Sequence, residues 1–324
     1  MYYHRMFVDN NLALWFICFL ISVNISVSSQ FRFDYTYNVK AAGWVKLHEV
    51  PASFHDAFRR CNAEGAVLAS PLNIYLKNAM TNLHKKTKSD ACALYTGIHA
   101  TISKGAYTSI EGVPLNRIPT TWAPDEPDNH NDSEDCIVIL QNGTMADVRC
   151  TETFPYVCYK KKTKTLAIND CGTIDNEYIL DHRTGSCYKF HKVGKSWKNA
   201  YMTCIAEGGH LAVINSATEV EVIKDVFARV PAKDIFSKYK DVASVGYYDW
   251  GEFGVFYTVH GETLKEAGYS KFGEGNPDNG RNKDGDYICG AVARDGLYYD
   301  VWCNIDIAPF ICEKKPESLL NDDE

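Results

Sequence analysis

The sequence predicts two tandem α+β domains. Three observations carry this reading. The body of the chain is one pattern written twice: Ser53, Ala57, Cys61, Ala63, Glu64, Gly65, Leu68 and Ala69 recur 143 positions later as Ser196, Ala200, Cys204, Ala206, Glu207, Gly208, Leu211 and Ala212. In each copy a proline-centred loop closes on two cysteines 14 positions apart, Cys136 and Cys150, then Cys289 and Cys303. Each copy also reads as two helices followed by short strands and long loops, an α+β order.

A chain of 324 residues is long enough for two hydrophobic cores. The formal net charge of −7 argues against nucleic acid or an anionic membrane surface as the main partner, because both select basic patches. Residues 1–29 read as a secretory signal: His4 and Arg5 precede the apolar run Leu12 to Val23, and Val27 and Ser29 are the small residues before a cleavage at Gln30. The run is shorter than the roughly 20 apolar residues that span a bilayer; an uncleaved anchor is the rival reading. No other segment is hydrophobic enough to span. Cleavage removes Cys18 and leaves eleven of the 12 cysteines, which in an exported chain are expected as disulfides. An odd number leaves one thiol either unpaired or bonded to another chain.

The first domain is placed at 30–160. Trp44, Val45 and Leu47 suggest an opening strand. Ser53 is a helix cap, and Phe54, Ala57, Phe58 and Cys61 fall on one helical face. Gly65 ends that helix, and AVLAS is a short strand. A second helix is expected from about Leu72 to Leu83, with Leu72, Tyr75, Leu76, Ala79, Met80 and Leu83 on one side. Short β-prone pieces follow (ALYTGI, AYTSI), then the acidic loop, the strand CIVIL and a last strand at FPYVCY. Residues 161–170 read as a solvated linker. The second domain, 171–315, repeats the scheme: Ser196 caps its first helix, and Ser216 with Glu219 forms a capping box for a helix carrying Val220, Ile223, Val226, Phe227 and Val230. Residues 316–324 are expected to be a disordered acidic tail.

The stretch Trp122 to Cys150 concentrates the chemistry. Asp125, Glu126, Asp128, Glu134 and Asp135 fall within eleven positions, and Asp147 lies just before the closing cysteine. Dense carboxylates in a turn-rich loop suit a hard cation such as Ca²⁺, which takes six to eight oxygens. The corresponding stretch of the second copy runs from Phe272 to Cys303.

This pattern resembles the C-type lectin-like domain twice over, and the tandem arrangement, with GWVKLH, TGIHAT, SIEGVPL and CGAVARDGLYYDVWC, resembles the insect immulectins. The resemblance implies a secreted, calcium-dependent carbohydrate-binding protein, an innate-immune pattern-recognition lectin for microbial surface glycans such as lipopolysaccharide or mannans. Immune-cascade proteins and haemocyte surfaces are further implied partners. It implies the disulfides Cys61–Cys158, Cys136–Cys150, Cys204–Cys312 and Cys289–Cys303, and an extra bridge Cys171–Cys187. Cys92 is then the odd thiol, either a buried small hydrophobe or an intermolecular bridge.

Carried over residue by residue, the resemblance makes Glu126 and Asp128 calcium ligands flanking a cis Pro127, Glu134 the next ligand and Asp147 the last. Asp135 serves an auxiliary ion, and His130 packs against the sugar. The same residues contact sugar hydroxyls. Two departures stand out. The mannose-type triplet is Glu-Pro-Asn and the galactose-type is Gln-Pro-Asp; here it is Glu-Pro-Asp. Met145-Ala146-Asp147 replaces Trp-Asn-Asp. Both amide donors are gone while the carboxylates remain. In the second copy the set is Asn276, Asp278 and Asp300, with Asp284 or Asp286 in the place of Glu134. Asn276 to Cys289 spans 13 positions, against 10 for Glu126 to Cys136. Tyr299 either stacks on a sugar or blocks it.

Other motifs fail. His48-Glu49 lacks the second histidine of a zinc protease, and NPDNGRNKDGD matches an EF-hand only loosely. There is no nucleophile elbow, phosphate-binding glycine loop or CxxC, so an enzyme is not indicated. Asn131-Asp132-Ser133 and Asn142-Gly143-Thr144 are glycosylation sequons; the first lies in the binding loop. A lectin-like module that binds a protein partner is the alternative, favoured by the missing amide donors.

Overall fold

A computed structural model of the chain describes residues 31–87, 91–163, 167–249, 254–278, 288–304 and 306–320. The expected signal at 1–29, and Asp284 and Asp286, lie outside the described residues. Among the described residues no helix is long and apolar enough to cross a membrane.

Each repeat builds one sheet, with eight strands among the described residues. In the first the order is Thr36–Asn38, Gly43–Ala52, Phe154–Lys161, Ala93–His99, Cys136–Leu140, Met145–Val148. Ala93–His99 runs parallel to Phe154–Lys161, with Tyr95 opposite Tyr156. The second sheet repeats this, and Val242–Tyr248 runs parallel to Ala308–Lys314, with Ser244 opposite Phe310.

The helices α1 (Phe54–Ala63) and α2 (Ile74–His84) cover opposite faces of the first sheet. Alternation along the strands assigns the partners. Tyr95, Val138 and Cys158 join Phe54, Ala57 and Cys61 of α1, while Leu94, Ile137 and Val157 join Leu76, Ala79 and Met80 of α2. This is why ALYTGIH is a nearly continuous apolar run rather than an alternating one: both of its faces are buried. In the second repeat α3 (Trp197–Ala206) and α4 (Ala217–Ala228) do the same.

Several expectations are corrected. The second helix starts at Ile74, because Asn73 caps it, accepting from the N–H groups of Tyr75 and Leu76 at 3.0 Å each. Tyr75 is exposed rather than on the core face. Ser53 caps α1 through Asp56 N–H and donates to the Asp56 carboxylate; Ser196 makes no side-chain cap bond, and Asn199 stands where Asp56 would be. Ser216 caps α4 through Glu219 N–H, but the reciprocal half of the box is absent. Glu219 instead accepts from Asn215 N–H at 2.9 Å and from the Tyr188 hydroxyl. A complete box lies elsewhere, on Thr263 and Glu266 of the short helix α5 (Leu264–Ala267). Cys92 is an exposed thiol, not a buried one.

Among the described residues five disulfides form: Cys61–Cys158, Cys136–Cys150, Cys171–Cys187, Cys204–Cys312 and Cys289–Cys303. One recurring polar network supports each sheet. Glu64 accepts from Tyr35, Arg60, Lys46 and His48 at 2.6, 2.7, 3.2 and 3.2 Å. Glu207 accepts from Tyr178, Lys189 and His191 at 2.9, 3.0 and 3.0 Å. These donors hold Glu64 and Glu207 below the usual carboxylate range against the opposing effect of burial, the largest single influence on each. His48 is thus a structural partner of Glu64.

The repeats pack on each other, and the C-terminal segment closes the joint. Leu319 is only 4% exposed, and Phe33 N–H donates to its carbonyl at 3.2 Å. It lies over Gly208, the left-handed residue ending α3 (φ +86°), where a Cβ would come within 2.3 Å of the leucine. Arg32 donates to Ala206 O at 2.8 Å. Ile174 packs on the first core beside Gly65, the matching end of α1. Residues 316–320 are therefore ordered against this joint. Disorder is the expectation for the tail 316–324; in its described part the apolar Leu319 decides otherwise, and the acidic stretch 321–324 lies outside the described residues.

Candidate functional site

The loop before Cys136–Leu140 is tied to the hairpin behind it. Met145 N–H donates to Thr121 O at 2.8 Å, and Ala123 N–H to Met145 O at 2.9 Å. The Glu126–Pro127 peptide is cis, and the side chains on either side of the proline share one cluster of carboxylates. The Asp147 carboxylate, 3% exposed as a residue, then holds the turn: it accepts from Asp128 N–H at 3.2 Å and Asn129 N–H at 3.1 Å. Tyr107 donates to Asp147 at 3.3 Å and also to Glu134 O.

Three carboxylates meet here. Glu126, Asp128 and Asp147 place ligand oxygens within 4.8 Å of one another. Glu126 Oε2 is buried and has no hydrogen-bond partner. Burial first, then the neighbouring carboxylates, push the Glu126 pKa up to about 7. Glu134 is raised by the same causes, partly opposed by the bond it accepts from His130 N–H at 2.9 Å. Among the described residues no Lys or Arg forms an ion pair with these four acids. A set of mutually repelling oxygens with one orphaned and buried fits a hard divalent cation, whose charge removes the repulsion.

Glu134 and Asp135 stand outside this group of three; the Asp135 carbonyl accepts from Ala100 N–H at 2.7 Å. His130 is exposed, and its N–H donates to Asp128 Oδ1 at 3.1 Å. Two residues that organise the loop were not read from the sequence. Asn129, in the left-handed region (φ +43°), accepts from Glu134 N–H and donates to Asp132. Asparagine tolerates that conformation, which was the available signal. Tyr107 comes from a remote strand piece and carries no local signal.

The second loop repeats the frame. Asn276–Pro277 is cis, Gly273 N–H donates to Tyr298 O at 3.0 Å, and Asp278 N–H donates to Asp300 at 3.1 Å. The Asn276 amide donates to Glu274 O at 3.3 Å. Tyr298 is buried in the core. Tyr299 points to the other face, its ring against Gly273 at the base of the turn, where a Cβ would come within 2.4 Å of it.

Comparison with known proteins identifies the family of both repeats. The Lectin C-type domain matches residues 50–160 and 193–314. A hemolymph lipopolysaccharide-binding protein of Periplaneta americana is 35% identical over 127 residues, 39% of this chain and 48% of that protein. Human C-type mannose receptor 2 is 24% identical over 270 residues, 81% of this chain but 17% of the receptor. The matches thus span half or less of those relatives. Among solved structures, the carbohydrate-recognition domain of human scavenger receptor C-type lectin aligns with TM-score 0.36 and 23% identity over 44% of this chain and 98% of that one. With the family domain matched twice across most of its length, the chain belongs to the C-type lectins, as a tandem pair of lectin-like domains.

Proposed function

We propose that the protein is a secreted, calcium-dependent carbohydrate-binding lectin that recognises microbial surface glycans. The observation that carries this is the Glu126, Asp128 and Asp147 constellation with its orphaned buried oxygen. Glu126, Asp128, Glu134 and Asp147 would hold Ca²⁺ in the first domain; Asn276, Asp278 and Asp300, with Asp284 or Asp286, in the second. The ion would supply a charge to which vicinal sugar hydroxyls coordinate. The chain's own carboxylates accept hydrogen bonds from those hydroxyls; His130 is the side chain proposed to pack on the sugar in the first domain, and Tyr299 the one that either stacks on it or blocks it in the second. The name of the cockroach relative supports lipopolysaccharide as one target class.

Single sites of this shallow kind bind weakly. Two on one chain raise avidity for repetitive glycans without new contacts. The test is agglutination of bacteria or yeast by the full chain with and without EDTA, alongside calorimetric calcium titration. Cell binding that persists in EDTA sinks the calcium mechanism.

A second reading has its own observation. Asp128 and Ala146 replace both amide donors of the first site, which weakens sugar recognition there and favours a protein partner docking on the loops. A glycan array silent in calcium, with a specific protein recovered by pull-down, selects this alternative.

A further inference from the structure

The sequon Asn142-Gly143-Thr144 forms the turn between Cys136–Leu140 and Met145–Val148. Asn142 is exposed. Its amide oxygen accepts from Thr144 N–H at 2.9 Å and from the Thr144 hydroxyl at 2.7 Å. Both bonds use the oxygen. The nitrogen, the atom that bears an N-linked sugar, makes none among the described residues.

The turn faces a groove of about 350 Å³ on α2. Gly143 is close to the helix: a Cβ there would sit 3.7 Å from Lys77 Cε and from Thr81 Cγ2. Ile74, Lys77, Asn78, Thr81, Asn82 and Lys85 line the far wall, a single helical stripe by their spacing. The Lys77 ammonium already donates to Pro119 O and the Thr81 hydroxyl to Asn78 O; the Asn78 and Asn82 amides and the Lys85 ammonium are the groups on this stripe that suit sugar hydroxyls. At one end it offers Ile74, 51% exposed, an apolar surface for a pyranose face.

We propose that Asn142 carries an N-linked glycan whose first sugars lie in this groove. The inference rests on the exported nature of the chain. In the covalent step, Asn142 Nδ2 bonds to C1 of the reducing-end N-acetylglucosamine of a lipid-pyrophosphate-linked oligosaccharide. The C1–O bond to pyrophosphate breaks, the lipid pyrophosphate leaves and one amide proton is lost. The position is compatible with ligand binding. Asp147 pairs with Ile137, and the turn begins three residues further along, so about 10 Å of hairpin separate the two. The other sequon differs: Asn131 lies in the left-handed part of the loop itself (φ +54°), three residues from Asp128.

The experiment is glycopeptide mass spectrometry on the full chain secreted by insect cells, with Asn142→Gln and Thr144→Ala as variants. The expected result is a glycan on the Asn142 peptide, lost in both variants, with one fewer step on peptide-N-glycosidase digestion. Protein in the medium with Asn142 bare, or with a glycan on Asn131 alone, overturns the proposal. Protein absent from the medium overturns the export reading instead. Hydrogen exchange tests the groove. Lys77–Lys85 amides should be protected at least threefold more in the glycosylated form than after enzymatic removal, and equal exchange overturns the stem placement.

Discussion

The carboxylate of Asp147 accepts the backbone N–H of Asp128 at 3.2 Å. The last acid of the hairpin thereby fixes the residue that follows the cis proline. Asp300 and Asp278 stand in the same relation at 3.1 Å, so the frame is a property of both repeats.

Asp147 then has two separable jobs. Asp147→Asn keeps an acceptor for these N–H groups but removes charge. We expect calcium affinity to fall at least tenfold, about 1.4 kcal/mol, with little change in melting temperature in EDTA. Asp147→Ala takes the acceptor from these part-buried N–H groups and should cost about 1 kcal/mol in EDTA as well. Calorimetric titration with scanning fluorimetry reads both. Equal melting of the two variants refutes the separation.

Asp128→Asn rebuilds the Glu-Pro-Asn triplet. One regained amide donor is worth about 1 kcal/mol, so calcium-dependent binding to mannan should rise several-fold. A glycan array with wild type beside it makes the measurement, and no gain places the limit at Ala146 instead.

Glu219 should make the second repeat less stable in alkali. It is 1% exposed, and burial first, then Glu313, push its pKa up to about 7. The folded state therefore holds a proton that the unfolded chain releases near pH 4.3. Stability from this group falls as pH rises between those values and stays low above pH 7. Glu219→Gln, which keeps an acceptor for Asn215 and Tyr188, should stabilise by about 1–3 kcal/mol at pH 8 and by nothing at pH 4. A pH-independent effect in thermal melts rejects this. Glu64, whose pKa is lowered, has the opposite sign: its contribution is lost as pH falls below the ordinary carboxylate range.

Leu319→Ala should cost about 2–4 kcal/mol, as for a buried leucine, although its position near the chain end favours the lower figure. The loss should also loosen the joint, seen as faster proteolysis within 161–170. Unchanged cleavage there means that the leucine does not hold the repeats together.

Local patterns made the helices and strands legible because each repeat buries its sheet on both faces, and helical periodicity marked what covers it. Cap details were less legible. The Ser216-to-Glu219 spacing fits a box, yet tertiary partners, Tyr188 and Asn215, claim the carboxylate. The Thr263–Glu266 box has the readable spacing but no apolar run behind it, since α5 is four residues long. In the loop the acids stood out from sequence. What sequence did not show was their grouping: Glu126, Asp128 and Asp147 converge while Asp135 does not, because hairpin register and the Asp147 bonds decide which carboxylates meet. Tyr107 and Leu319 illustrate the remaining gap, as both act on residues far away along the chain.

The packing of Leu319 on Gly208, with Phe33 bonded to its carbonyl, bears on how the two repeats can be dissected. Cutting at the linker would strip Phe33 of its partner and bare Gly65 and Ile174, so an isolated half would display a sticky apolar face that the intact chain conceals. Binding data from such halves would mix the ligand loops with this raw surface. Inactivating one loop at a time in the intact chain keeps them apart.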